Sequence, residues 1–334
     1  MIESIQFTNY KALRNATLPL SPFTLLLGPN GSGKSSVLQA LQGIVKGGLS
    51  HSSLLSIMIV DRSAPVELKL SLRLQGQGYL AEYKWNPNGQ FSTLFSFSDG
   101  SALNGTQRLI PNQWISRMQT FSLDANAIAQ PSQVSSGPLR SNGAGLAAVL
   151  DELKDNHPDR WVALLEEFRR WLPEYDYILF DKPQPGYKAI VLRTKKGGHR
   201  IPATALSQGT LLGLALLTLA YLPDPPTLIG LEEIDRGLHP RLLRHVQDAL
   251  YRLSYPESCG ETRAPIQVIA TTHSPYMLDL YRDHPEEIVL AQKEGLEVQM
   301  RRLSDLEHYD EILGDSPLSE VWYSGVLGGV AVKP

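Results

Sequence analysis

Eight consecutive residues, Gly28-Pro29-Asn30-Gly31-Ser32-Gly33-Lys34-Ser35, follow the spacing G-x-x-x-x-G-K-[ST]. They come straight after an apolar run at 23–27 and open a stretch, 34–45, whose apolar residues recur at helical spacing. That order suits one chemistry. Glycines let backbone N–H groups converge, and the N-terminus of the following helix adds a favourable dipole, so the loop can cradle phosphate oxygens. Lys34 is placed to reach the β- and γ-phosphates of a nucleoside triphosphate, and Ser35 to ligate its Mg²⁺. The cradle is expected to run from Asn30 through Gly31, Ser32, Gly33, Lys34 and Ser35 to Ser36.

A second set of residues belongs with the first. Thr227-Leu228-Ile229-Gly230-Leu231-Glu232-Glu233 reads as an apolar strand ending in two acids. Glu232 suits support of Mg²⁺, directly or through water, and Glu233 suits polarisation of an attacking water. After the next apolar strand comes Thr271-Thr272-His273-Ser274-Pro275, where His273 can sense a γ-phosphate. A lone histidine after a strand is otherwise structural. Leu206-Ser207-Gln208-Gly209-Thr210 precedes an apolar helix, and alone it reads as an N-cap in which Ser207 holds the first turn. It gains weight from the motifs downstream of it: the acid pair, then Gly237-Leu238-His239-Pro240.

Other candidates are weaker. Gln119, near a short strand at 118–123, reads equally as a site residue and as an ordinary surface residue, with Gln130 and Gln133 as competitors. Lys11 and Arg14 could approach phosphate or adenine, or be solvated charges. Arg169-Arg170, Lys195-Lys196 and Arg301-Arg302 read as surface pairs, with no stacking aromatics interleaved. No second cluster of acids with metal spacing is visible, and no Ser/His/Asp or Cys/His set can be argued from order alone.

The elements that must position these residues follow from pattern. Strands are expected at 2–7, 23–27, 66–74, 79–85 and 91–97, with Asn86-Pro87-Asn88-Gly89 as a turn. The stretch 125–145, rich in Ser, Gly, Pro and Asn, reads as a loop. Helices are expected at 146–153, 158–172, 209–221 and 240–253, the last with proline in its first turn. Further strands fall at 177–180, 187–194, 227–231 and 266–271, and a hairpin at 287–303 turns at Glu294-Gly295. No heptad array is present, which excludes long coiled-coil arms.

With 334 residues, 42% hydrophobic and 19% charged, the chain can bury a sizeable core. A net charge of -3 argues against a dedicated, strongly basic nucleic-acid binder. The single cysteine, Cys259, excludes an internal disulfide and a cysteine-based metal site, as in a reducing compartment. Residues 1–7 lack the pattern of a signal peptide, and the most apolar stretch, 211–222, is short of the roughly 20 residues of a membrane span. A cytoplasmic location is expected.

The order of P-loop, LSQGT, apolar-EE, GLHP and TTHSP resembles the ABC-type ATPases of the RecF/SMC/OLD branch, in particular compact members without coiled coils or a fused TOPRIM domain. The opening Ile5-Gln6-Phe7-Thr8-Asn9-Tyr10-Lys11-Ala12-Leu13 is similar to that branch's first strand, and the ending 321–329 to its compact members. The resemblance is weak between about 50 and 200. It implies an α/β P-loop NTPase fold of ABC-ATPase type: a mostly parallel core sheet, an antiparallel β region and a helical insertion. The nucleotide head would comprise 1–60 and 200–334, with 61–199 as the β-rich and helical region that docks a partner or DNA. Ser207, Gln208 and Gly209 would be the signature contacting the γ-phosphate of an opposite subunit. Glu233 would be the catalytic base, His273 the switch histidine, Ser35 and Glu232 the Mg²⁺ residues, and Leu238-His239 part of the D-loop. The branch usually has Asp where Glu232 stands.

The implied cofactors are ATP and Mg²⁺, and the implied assembly is a head-to-tail homodimer around two ATPs. Its output would pass to a separately encoded effector, such as a TOPRIM-like nuclease in antiphage defence. The alternatives are a RecF-like DNA-repair clamp and an ATP-binding scaffold with negligible hydrolysis.

Overall fold

The computed structural model describes residues 1–46, 61, 63–134, 137–295, 297–307 and 317–324. Residues 325–329 of the family-like ending lie outside them. The chain forms two compact units, one of residues 1–120, 226–234 and 263–334, the other of 121–225 and 235–262.

The first unit contains two sheets. In one, β1 (Ile2–Tyr10), β2 (Leu13–Pro19), β4 (Val66–Leu74), β5 (Gln77–Trp85) and β6 (Phe91–Phe97) lie in the order β2-β1-β4-β5-β6, all antiparallel. β4 shows why. Val66, Leu68, Leu70, Leu72 and Leu74 are buried in strict alternation, as a one-face strand requires. On the other face Glu67 sits opposite Lys84 and Lys69 opposite Glu82, at 2.7 and 2.9 Å.

The other sheet has the order β15-β14-β3-β13-β12-β7. Its members are β3 (Phe23–Leu27), β7 (Gln119–Phe121), β12 (Leu228–Leu231), β13 (Gln267–Thr272), β14 (Ile288–Glu294) and β15 (Glu297–Arg302). β14, β3, β13 and β12 run parallel, and β15 returns antiparallel. β3, β12 and β13 are buried at every position, as expected for parallel strands covered on both faces. Helix α1 (Lys34–Val45) contributes Val37, Leu38, Leu41 and Ile44 to one core with Phe7, Leu68, Leu70, Leu26 and Val289. Gln267 joins the sheets: its amide accepts from Ile2 N at 2.8 Å and donates to Ile2 O at 2.7 Å.

The second unit is helical with a small antiparallel sheet. β9 (Tyr175–Asp181) and β11 (Arg200–Pro202) flank β10 (Tyr187–Thr194), which also pairs with β8 (Ser132–Gln133). Helices α4 (Leu146–Asn156) and α5 (Pro158–Trp171) cover this sheet. α6 (Gln208–Ala220) is buried at every residue from Thr210 to Ala220. α7 (Pro240–Ser254) packs beside it with a buried stripe of Leu242, Leu243, Val246, Ala249, Leu250 and Leu253.

The fold is therefore α/β with a mostly parallel core sheet, an antiparallel β region and a helical insertion. Several elements differ from the pattern reading. Residues 13–19 form β2, hidden because its pattern is broken by Arg14 and Asn15. Helix α2 (Gly105–Ser116) has a capping box, Asn104 with Gln107, that was a usable signal, masked by Pro111 inside it. The stretch read as a loop contains helix α3 (Ala125–Ile128) and β8. Arg302 is not a free surface charge: it donates to Leu20 O at 2.9 Å. Among the described residues no helix is long and apolar enough to cross a membrane.

Candidate functional site

Three neighbouring parallel strands deliver the chemistry at their C-terminal ends, where open α/β sheets place their ligands. β3 runs into the glycine loop, β13 into Thr271-Thr272-His273, and β12 into Glu232-Glu233. Gly28 admits no side chain: a Cβ there would lie 2.3 Å from Ala291 O and 2.6 Å from Ser32 Oγ. Gly31 and Gly33 have φ of 78° and 87°, the left-handed region that turns the loop into the helix. Gly33 is the N-cap of α1, with no side-chain cap bond and no acid in the first turn. Such an end presents backbone donors and a positive dipole, which fits a phosphate. Asn30 and Ser35 are exposed, Ser36 is half-buried, and Ser32 is buried.

Lys34 is only 5% exposed. Its ammonium folds back onto the loop, donating to Gly28 O at 2.7 Å and Pro29 O at 2.9 Å, with Ser32 Oγ at 3.4 Å. Burial pushes its pKa down to about 8, partly opposed by the negative charge of Glu233.

Glu233 is held by its backbone. Its φ is 49°, a left-handed geometry that costs energy for a residue with a side chain. Its N–H donates to Thr271 Oγ1 at 3.0 Å, and the next N–H, of Ile234, to Thr271 O at 3.1 Å. The two strand ends are thus stitched together. Glu233 Oε1 lies 3.8 Å from His273 Nε2, with the side chains 39% and 37% exposed. Ser274 N donates to Thr272 Oγ1 at 2.9 Å, closing the turn that carries His273. Glu232 is half-buried just past β12. Gln119 begins β7, beside β12 in the same sheet, whereas Gln130 and Gln133 belong to the second unit.

The candidate signature residues lie in the second unit. Ser207 is the N-cap of α6: Oγ accepts from Thr210 N at 3.2 Å and lies 2.8 Å from Thr210 Oγ1. Gly209 faces Gly237, whose carbonyl oxygen would be 2.7 Å from a Cβ there. Gly237 has φ 72° and abuts Gln208. His239 caps α7, with Nδ1 accepting from Arg241 N at 3.2 Å. The structure therefore gathers the candidates into two groups. Lys34, Glu233 and His273 share one sheet edge with the loop, and Ser207, Gln208 and Gly209 pack with Gly237 on the other unit.

Outside these groups, one arrangement escaped the sequence reading. His284, Glu286 and Glu287 bring ligand atoms within 4.8 Å of one another. The signal was the spacing H-x-E-E; His284 is half-buried, Glu286 exposed and Glu287 buried.

A glycine loop between a buried parallel strand and a helix, with acids and a histidine on the adjoining strand ends, defines a P-loop ATPase. Two family models match the chain: one described as "AAA domain, putative AbiEii toxin, Type IV TA system" over residues 67–279, and an AAA ATPase domain over residues 1–76. The chain belongs to this AAA-domain family, and its fold is that of ABC-type ATPase heads. Among solved structures, the Smc head bound to the C-terminal winged-helix domain of ScpA matches with a TM-score of 0.62 and 16% identity, over 90% of this chain and 96% of that one. An Smc head with an extended coiled coil, from Pyrococcus furiosus, matches with a TM-score of 0.61 and 15% identity, over 91% and 97%. At these identities the likeness is one of fold. An OLD nuclease of Thermus scotoductus is 42% identical over 41 residues, a stretch covering 12% of this chain and 8% of that enzyme.

Proposed function

We propose that this chain hydrolyses ATP at the edge formed by β3, β13 and β12 and works as an ATP-dependent conformational switch between two copies of itself. The observation that carries the reading is the convergence of Lys34, Glu233 and His273 beside an uncapped helix N-terminus. Lys34, freed from the Gly28 and Pro29 carbonyls, binds the β- and γ-phosphates, and the loop N–H groups hold the remaining oxygens. Ser35 and Glu232 hold Mg²⁺, which when bound offsets phosphate charge. Glu233 orients and deprotonates the attacking water, its position set by Thr271, and His273 sits within reach of the γ-phosphate.

Ser207, with Gln208 and Gly209, completes the site of a second copy, giving a two-fold, head-to-tail dimer around two ATPs. Binding closes the dimer and hydrolysis reopens it. The output passes to a separately encoded effector docked on the 61–199 region. The toxin–antitoxin description of the family and the local likeness to an OLD nuclease both support an antiphage defence role.

The test is complementation between chains. Lys34→Ala and Ser207→Arg chains are each inactive alone. Mixed, they regain ATPase activity, because one of the two sites then has an intact loop and an intact signature. A confirmed heterodimer no more active than either parent rejects the shared site.

A further inference from the structure

The helix that begins at Ser207 is tied at its far end by a polar cluster that the nucleotide chemistry does not use. Glu167, on α5, is the hub, with a side chain only 12% exposed. Its Oε2 accepts from the Arg252 guanidinium at 2.8 Å and from the Tyr221 hydroxyl, and its Oε1 from the Trp171 indole at 3.2 Å. Arg252 lies 5.2 Å over the Tyr221 ring and 3.4 Å from Glu261. Two turns earlier on α5, Arg160 donates to Leu222 O at 2.9 Å, a cation on the carbonyl end of α6.

Tyr221 is the C-cap of α6, and Arg252 lies in the last turn of α7. α5 thus grips the C-terminal ends of both helices. Their N-terminal ends meet through glycines. A Cβ on Gly209 would lie 2.7 Å from Gly237 O, and one on Gly213 would lie 2.9 Å from Leu242 Cδ2. The pair is held at both ends.

The reason for a charged hub lies in the composition of α6. The helix is apolar on every side, and hydrophobic burial is non-directional, so packing alone leaves its rotation and axial position weakly specified. Hydrogen bonds and ion pairs have strict geometry and supply what is missing. A buried ion pair is a poor source of net stability, which favours a specifying role over a stabilising one.

We propose that Glu167, Arg252 and Tyr221 are positioning residues that set the register of α6 against α7 and so aim Ser207 and Gly209 at the nucleotide held by a second copy of the chain. This rests on the shared-site reading above.

The test separates what a chain gives through its loop from what it gives through its signature. A Glu167→Ala chain is mixed with about a tenfold excess of either inactive partner, so that nearly every copy sits in a heterodimer. With excess Lys34→Ala partner, the variant contributes only its loop to the working site, and its ATPase rate equals that of wild type in the same mixture. With excess Ser207→Arg partner, it contributes only its signature, and the rate falls about tenfold below wild type. Tyr221→Phe, which removes one hydroxyl and keeps the ring, shows the same asymmetry at about threefold and serves if Glu167→Ala does not fold. Equal rates relative to wild type in both mixtures, whether undiminished or reduced alike, overturn the proposal. If the Lys34→Ala and Ser207→Arg chains fail to complement each other, the shared-site reading falls and takes the proposal with it. Complementation with no asymmetry overturns the proposal alone.

Discussion

Helices α1 and α6 both open at glycine-bearing motifs, and they begin in opposite ways. α1 opens at Gly33, left-handed, with no side-chain cap and no acid in its first turn. α6 opens at Ser207, whose hydroxyl is bonded within its own first turn to Thr210. The first end leaves its donors for an anion and depends on the surrounding core for its stability. The second satisfies itself, so it is a finished structural element before any nucleotide arrives. On the proposed shared-site reading, the loop that would wrap the phosphates leaves its donors open, and the motif that would be presented to a second copy is already capped.

The largest effects should come from the sheet edge beside α1. Glu233→Gln is expected to slow hydrolysis by about 10²- to 10⁴-fold, the range for losing a general base, while ATP still binds. Steady-state phosphate release with parallel calorimetry decides it. Should Glu232→Gln be the more damaging change to hydrolysis, the two acids exchange roles.

Lys34→Ala is expected to weaken ATP binding by about 10²-fold or more, because a buried charged partner of the phosphates is lost. Calorimetry at fixed salt measures it, and an unchanged affinity would move the nucleotide away from this loop.

Two glycines then sharpen the contrast. Gly28→Ala and Gly209→Ala each place a Cβ against a backbone oxygen, at 2.3 and 2.7 Å. Each is expected to lower stability by about 1–3 kcal/mol, the cost of overpacking. For Gly209 this outweighs the roughly 1 kcal/mol by which alanine otherwise favours a helix. Thermal melts read both, and only Gly28→Ala should also reduce ATP affinity in the isolated chain.

Ser207→Ala removes an N-cap and is expected to cost about 1 kcal/mol. ATP affinity measured on dilute, monomeric chain should not change. A loss of affinity there would show that Ser207 acts on its own chain's nucleotide.

The smallest effect is a proton. Burial depresses the Lys34 ammonium from 10.5 to about 8. Because the folded pKa is the lower one, the unfolded chain binds more protons between about pH 8 and 10.5, and this lysine's share of stability rises with pH through that window. Bound phosphate favours the ammonium, so ATP binding at pH 8.5 should take up a fraction of a proton. Calorimetry in buffers of different ionisation enthalpy detects it. The uptake should vanish in Lys34→Arg, whose guanidinium stays charged throughout.

Much of the site is legible in the order of residues alone. The glycine loop, the acid pair and the Thr271-Thr272-His273 turn are contiguous, and each owes its chemistry to consecutive residues after an apolar strand. Alternation in 66–74 and the apolar run 23–27 announce strands for the same local reason. Leu13–Pro19 is not legible in this way, since an irregular edge strand gains its identity from pairing with β1. The helix at Gly105–Ser116 carries a local capping signal that its internal proline contradicts.

By itself, then, the sequence determined the α/β class, the order of the motifs it carries, and the candidate phosphate cradle among them. Only the tertiary structure decided that Glu233 takes a left-handed backbone and is tied to Thr271, and that His273 stands 3.8 Å from it. It alone joined Glu167 to Arg252 across 85 positions of chain. A cradle is made of neighbouring backbone groups, so spacing reveals it. A contact between distant side chains depends on which strands and helices become neighbours, and that is settled by packing the whole core at once.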